Sequence, residues 1–269
     1  MKLRVAGTTY TGDVVDLRTR AVDGRAVAAG IRGQRCLPAV ACPDPPSVYA
    51  YAGHVHPSMG LRTRTALAAA ARSQGHGTPQ DEAIAECCAK LTELDCSPPD
   101  LPDPVDPVPE ATVDDLQETV AAHRGRLTAR REVGAEEEAV RAALRDAAME
   151  LSERETRQAA ARETRELRRE RARAYRDTLE ERRRLSDELA NLRRCARATL
   201  VDRCADAFAR AVETVPGAVP DDPFDADPVT AALAVLRVAR TPAPVVLETG
   251  RFGTPAAASD CLDAPVVRC

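Results

Sequence analysis

The sequence predicts an α-rich α+β protein: a small α/β head assembled from N- and C-terminal segments and interrupted by a long coiled-coil helical insertion. Three observations predict it. Residues 111–215 contain no proline, and their only glycines are Gly125 and Gly134. The same stretch carries apolar or small residues at alternating three- and four-residue steps, as a packed helix does. Both flanks, residues 1–96 and 216–269, instead show short apolar runs punctuated by Gly and Pro.

Within residues 1–96, strands are expected at Leu3–Ala6, Ala26–Ile31 and Val48–Ala52, set apart by Gly12, Asp23-Gly24, Gly33 and the cluster Pro43, Pro45, Pro46. A helix is expected from about Gly60 to Ser73, where Leu61, Ala66–Ala71 and several Arg favour it and Gly75 and Gly77 end it. Thr78-Pro79 opens a second helix. Thr78 suits an N-cap, Pro79 the first turn, and Asp81 and Glu82 the positive end of the helix dipole, while Ile84, Cys87, Cys88, Leu91 and Leu94 form a stripe to bury.

Residues 97–110, SPPDLPDPVDPVPE, hold six prolines together with Asp100, Asp103, Asp106 and Glu110. They read as an extended, polyproline-like linker. The coiled-coil segment, 111–215, follows with 23 Arg against 22 acidic residues. Its seam runs through Val113, Leu116, Val120, His123 and Leu127, then Val140, Leu144, Ala147 and Leu151, then Ala172, Tyr175 and Leu179, then Leu185, Leu189, Leu192, Ala196 and Thr199. Between Arg154 and Arg171 the seam fails, because Ala159–Ala161 and Leu167 are its only apolar groups. A bend near Gly134 divides the segment into a helix of about twenty residues and one spanning on the order of 115 Å. The shorter helix cannot cover the longer, so the seam is expected to find a partner in a second copy or another protein.

After Pro216, Asp227-Pro228 starts a helix through Ala239, Pro244–Leu247 reads as a strand, Thr254-Pro255 starts a short helix through Leu262, and Pro265–Arg268 ends as a strand. Strand, helix, strand implies a parallel pair with a crossover. Neither flank is large enough to bury a core alone, which is why one head built from both is expected.

Composition narrows the chemistry. Acids and bases nearly cancel at a formal charge of −4, so no strong nucleic-acid field covers the whole chain. Trp is absent and Phe and Tyr number 3 and 4, so the core must be built from Ala and Val with little aromatic anchoring. No apolar stretch reaches the length of a signal peptide or a membrane span, so a cytoplasmic protein with no membrane contact is expected. The nine cysteines are expected as reduced, mostly buried thiols, with no C-x-x-C pair to hold a metal.

All but Lys2 and Lys90 of the 38 basic residues are Arg, and Ala, Val and Asp are abundant. This composition resembles that of proteins from salt-adapted archaea. Two head segments separated by a coiled coil resemble the layout of the SMC and Rad50 ATPases. The glycine-rich loop ending in Gly-Lys-Ser/Thr that such ATPases use for phosphate is absent, and neither lysine sits in such a context, so the resemblance transfers no catalytic residue. No cofactor is expected.

Three strings carry candidate chemistry. His54 and His56 lie one residue apart in Gly53-His54-Val55-His56-Pro57; side chains so spaced at a strand end point the same way and can share a metal, as in metal-dependent hydrolases. A turn with two surface histidines is the plainer reading, since only His76 and His123 remain as further histidine ligands. Gly250-Arg251-Phe252-Gly253-Thr254-Pro255 turns into a helix N-terminus that suits an anion or simply connects strand to helix. Arg154–Arg184 contains twelve Arg and seven acids, and Arg165, Arg168, Arg169, Arg173 and Arg176 are its candidate phosphate contacts. A solvated face laced with ion pairs explains the same residues.

The whole reads as a non-enzymatic structural or interaction protein that self-associates or binds a partner through its coiled coil. A nucleic-acid-associated accessory factor and a metal-dependent hydrolase are the alternatives.

Overall fold

A computed structural model of the chain describes residues 1–5, 8–20, 22–34 and 39–269. Ala6, at the end of the first expected strand, and Cys36 lie outside them. The described chain divides into two compact units, one formed by Met1–Ala89 with Asp187–Cys269 and the other by Lys90–Ser186. The fold is the α-rich α+β arrangement, with small sheets built from the ends of the chain and a long helical insertion.

The first unit contains two sheets. Strand β1 (Lys2–Val5) pairs antiparallel with β2 (Thr8–Thr11) and β4 (Ala39–Ala41). The second sheet is wholly parallel, in the order β3 (Val14–Asp16), β7 (Val266–Arg268), β6 (Val245–Leu247), β5 (His54–Val55). Its two inner strands come from the C-terminal segment and its two outer strands from the N-terminal one. Parallel strands need helices on both faces, and every residue of β6 and β7 is buried accordingly.

Alternation along the strands sorts the side chains. Val55, Val245, Leu247 and Val266 face one core, with helices α3 (Thr63–Ser73), α7 (Pro228–Ala239) and α8 (Pro255–Leu262). Val15, Val246 and Val267 face the other, with Leu3, Leu17 and helix α1 (Gly24–Ile31).

Two expected strands are helices. Ala26–Ile31 lies inside α1, which begins when the Asp23 side chain accepts a hydrogen bond from the Arg25 N–H. Val48–Ala52 becomes the short helix α2 (Tyr49–Ala52) with Val48 as its N-cap. Runs of Ala, Val and Tyr this short satisfy either periodicity, and here packing against the sheet decides.

Helix α7 is apolar nearly all round, and ten of its twelve residues are buried. Its ends are therefore sealed by protein groups. Asp227 caps the start, accepting hydrogen bonds from the Val229 and Thr230 N–H groups and from the Thr230 hydroxyl. Arg251 adds an ion pair at 2.8 Å and also donates to the Pro216 carbonyl. Burial works to raise the Asp227 pKa, yet the hydrogen bonds from Thr230 and Arg251 outweigh it and hold the carboxyl below its ordinary value. At the far end, Ser73 Oγ and Gln74 Nε2 donate to the Ala239 and Val238 carbonyls, groups with no partner inside the helix.

Helix α4 (Asp81–Glu93) follows the turn at Thr78, and Asp81 reaches back to accept from the Thr78 N–H at 2.8 Å, half of a capping box. The insertion continues with an irregular stretch, helix α5 (Glu110–Glu132), a turn in which Gly134 adopts φ +67°, and helix α6 (Glu138–Thr214). Within the second unit α5 runs antiparallel to α6: Arg162 pairs with Glu110 and Gln117 with Glu155. Val113, Val120 and Leu127 are its buried stripe, one residue every seven. The proline-rich stretch is extended and lies on the same helix, where Arg168 and Arg171 donate to the Pro102 and Asp100 carbonyls. The weak part of the seam, with Ala161 buried, is thus covered from within the chain. The last 28 residues of α6, from Asp187, belong to the first unit, where Leu200, Phe208 and Val212 enter its core.

Asp81 gives a pH test of the capping turn. Hydrogen bonds from Arg72 and Thr78 hold its carboxyl well below the ordinary value, so the folded pKa lies below the unfolded one. Its stabilisation is present above the unfolded value near 3.8 and is lost as pH falls below it. Asp81→Ala is expected to cost about 1 kcal/mol at neutral pH, as loss of a cap does. Urea titrations should show the gap between wild type and variant closing as pH drops from 5 to about 2.

Candidate functional site

A cluster of reactive side chains in the first unit lies around β5. Tight packing forces the chain through this point: Gly53 sits against the Tyr49 ring so closely that a Cβ there would fall 2.4 Å from it. β5 then pairs with β6 through the Val246 N–H to Gly53 O and Glu248 N–H to Val55 O bonds, both 2.9 Å. This register carries His54 and His56 out on one side of the strand while Val55 enters the core.

Their rings stand 4.8 Å apart at 43°. His54 Nε2 lies 3.1 Å from Glu248 Oε2, within ion-pair distance but off the line of a ring N–H hydrogen bond. The other oxygen, Glu248 Oε1, accepts from the Gly24 N–H at 2.9 Å and so caps α1. His56 Nδ1 is 3.1 Å from Ser58 Oγ. Among the described residues no three His, Cys, Asp or Glu side chains are placed to hold a metal ion, so the two histidines supply at most part of a ligand set.

A cavity of about 260 Å³ opens beside these rings, lined by Arg32, Tyr49, Tyr51, His54, His56 and Ser58, with backbone from Gly53 and Gly60. Arg32 stands 5.8 Å from the Tyr49 ring centroid and has no carboxylate in ion-pair reach among the described residues. Tyr49 is 2% exposed, burial raises its pKa, and its hydroxyl has no hydrogen-bond partner among the described residues.

Burial disfavours the thiolate at two nearby cysteines. Burial pushes Cys269 up to about 12, with the Glu248, Asp23 and Asp16 carboxylates adding to it, and burial likewise raises Cys42. The eight described cysteines form no disulfide, and only Cys87 and Cys204 are fully buried, fewer than the sequence led one to expect.

The other sequence candidates fare differently. Arg251 is committed to Asp227, and Thr254 Oγ1 accepts from the Ala257 N–H, so the turn at 250–255 is a strand-to-helix connection with its helix end already capped. In the second unit Arg165, Arg169, Arg173 and Arg176 are exposed along α6, whereas Arg168 is tied to the proline-rich stretch. Arg32, Tyr49 and Ser58 carry no signal in the sequence, whereas Glu248 follows the apolar run Val245–Leu247 as a charged residue at a strand end.

Packing at this site is tested by Gly53→Ala. The new methyl meets a rigid ring, and the expected loss is about 1–3 kcal/mol in urea unfolding, with the m-value unchanged.

No helix of the described residues is long and apolar enough to cross a membrane. No curated protein matches the chain. No solved structure matches it either. The profile of a family of unknown function, DUF7856, matches residues 12–266, a span that takes in the whole insertion and nearly all of the parallel sheet but not β1 or β2, and the chain belongs to that family.

Proposed function

We propose that the protein is a non-enzymatic interaction protein whose helical insertion is its binding element, pairing with a second copy or with a partner helix. One observation supports this most. In residues 90–186 the fully buried apolar side chains are Val108, Val113, Val120, Leu127, Ala161 and Leu185, while Val133, Met149, Leu167 and Leu179 stand exposed. A helical unit that leaves several of its longer apolar groups outside has surface to bury against something else. Met149 is 65% exposed and, with Val105 and Ala160, borders an open groove of about 720 Å³. Because the proline-rich stretch covers the middle of α6, the contact is expected on this groove rather than along the entire helix.

Light scattering after gel filtration tests it. The full chain is expected at about twice 28.9 kDa or above at micromolar concentration, and Met149→Glu is expected to shift it toward monomer. A monomer at all concentrations that also retains no partner in a cell extract would remove the reading.

A second reading, a nucleic-acid-associated accessory factor, is favoured by one feature of α6. Arg165, Arg169, Arg173 and Arg176 are exposed and recur at steps of four, four and three, which puts them on one side of the helix. Glu166, Glu170 and Asp177 lie beside them and weaken the field. Changing the four arginines to Gln is expected to lower duplex-DNA affinity at least tenfold at low salt in gel-shift titrations. Equal binding by wild type and variant would sink this reading.

A further inference from the structure

We propose that the cavity bordered by Arg32, Tyr49, His56 and Ser58 binds a small oxyanion, a phosphate or a phosphomonoester. The site belongs to the first unit and does not depend on the partner of the helical insertion.

The described side chains lining the cavity include an arginine, two histidines, a serine and two tyrosines, and no acid. Glu248, the nearest carboxylate named at the histidines, is not among the lining residues and is already shared between His54 and the Gly24 N–H. Arg32 presents a planar set of donors with no carboxylate in ion-pair reach among the described residues, and such a fork matches phosphate oxygens. His56 and Ser58 already approach each other at 3.1 Å, so both can turn donors toward one group.

Tyr49 forms one wall of the cavity. Its side chain is 98% buried, it lines this cavity, and its hydroxyl finds no acceptor among the described residues. That hydroxyl has no surface open to solvent, so the ring rather than the hydroxyl faces the cavity. At about 260 Å³ the space lies below the usual range for drug-sized ligands, which selects a small anion.

The test uses the chelator-treated full chain in calorimetric titrations with inorganic phosphate and with phenyl phosphate at fixed ionic strength. Saturable 1:1 binding of at least one probe is expected, weakened roughly ten- to hundredfold by Arg32→Gln or by His56→Gln, and partly restored by Arg32→Lys. Arg210→Gln, an exposed arginine on α6 away from the cavity, is expected to leave it unchanged. Tighter binding of the ester identifies a phosphorylated small molecule, and preference for inorganic phosphate identifies the free anion. Circular dichroism confirms that the variants fold, and Arg32 and Ser58 are exposed enough to be replaced without loss of core. No binding up to about 10 mM, or equal binding by Arg32→Gln and wild type, overturns the proposal. Stoichiometric zinc binding that disappears in His54→Ala/His56→Ala, without phosphate binding, also overturns it and restores the metal reading.

Discussion

The parallel sheet depends on one constraint: its inner strands and its outer strands come from opposite ends of the chain. β6 and β7 are buried on both faces, and each must find an N-terminal neighbour, β5 or β3, before its backbone groups are paired. Val246 donates to Gly53 and Val266 to Asp13 across the length of the insertion. These contacts are distant in sequence, so loop closure must be completed before hydrophobic burial returns anything. The short local elements, α1 and the β1–β2 hairpin, cannot substitute for them, because the apolar faces they carry are buried only once Val246 and Val267 are in place.

A core made of small side chains raises the demand on helix ends. Ala and Val bring little area each, so α7 is buried around its circumference and no end of it can be left to water. Asp227 meets this at the start, and through Arg251 it joins the helix to the loop after β6 and to the carbonyl of Pro216, where the insertion returns. Gly217 belongs to the same knot, since a Cβ there would meet the Thr230 hydroxyl at 2.0 Å. Ser73 and Gln74 of the N-terminal segment close the other end. Polar caps thus join the two ends of the chain a second time, independently of the sheet.

What was legible in the sequence was what is local. Asp227-Pro228 and Thr254-Pro255 announce helix starts because the capping side chain, the fixed φ of proline and the first turn lie within four residues, whereas after Thr78-Pro79 the helix begins only at Asp81. The absence of proline over 111–215 announces helix for the same reason. Ala26–Ile31 and Val48–Ala52 were misread because their conformation is decided elsewhere, by the Asp23 cap with Glu248 beyond it, and by the fit of Tyr49 against Gly53. β2 gave no strand signal because three of its four residues are exposed and none is fully buried, leaving no alternation to detect. The candidate site divides along the same line. His54 and His56 are visible as a pair one residue apart, whereas Arg32, at the end of α1, reaches their cavity only through the tertiary fold.

The way the insertion enters and leaves explains how so large a segment is tolerated. It departs through α4 and returns through α6, and neither helix contributes a strand or a sheet hydrogen bond. The sheet register is therefore independent of the insertion's length. Its returning end is not independent of the core, because Leu200, Phe208 and Val212 on the last turns of α6 are buried there. A helix continuous from Glu138 to Thr214 cannot unwind near Phe208 without exposing that core, nor shift by one residue without turning those side chains off their face. Changes in the outer part of the insertion are free to adjust its surface, while the phase of α6 at Phe208 is held by the head.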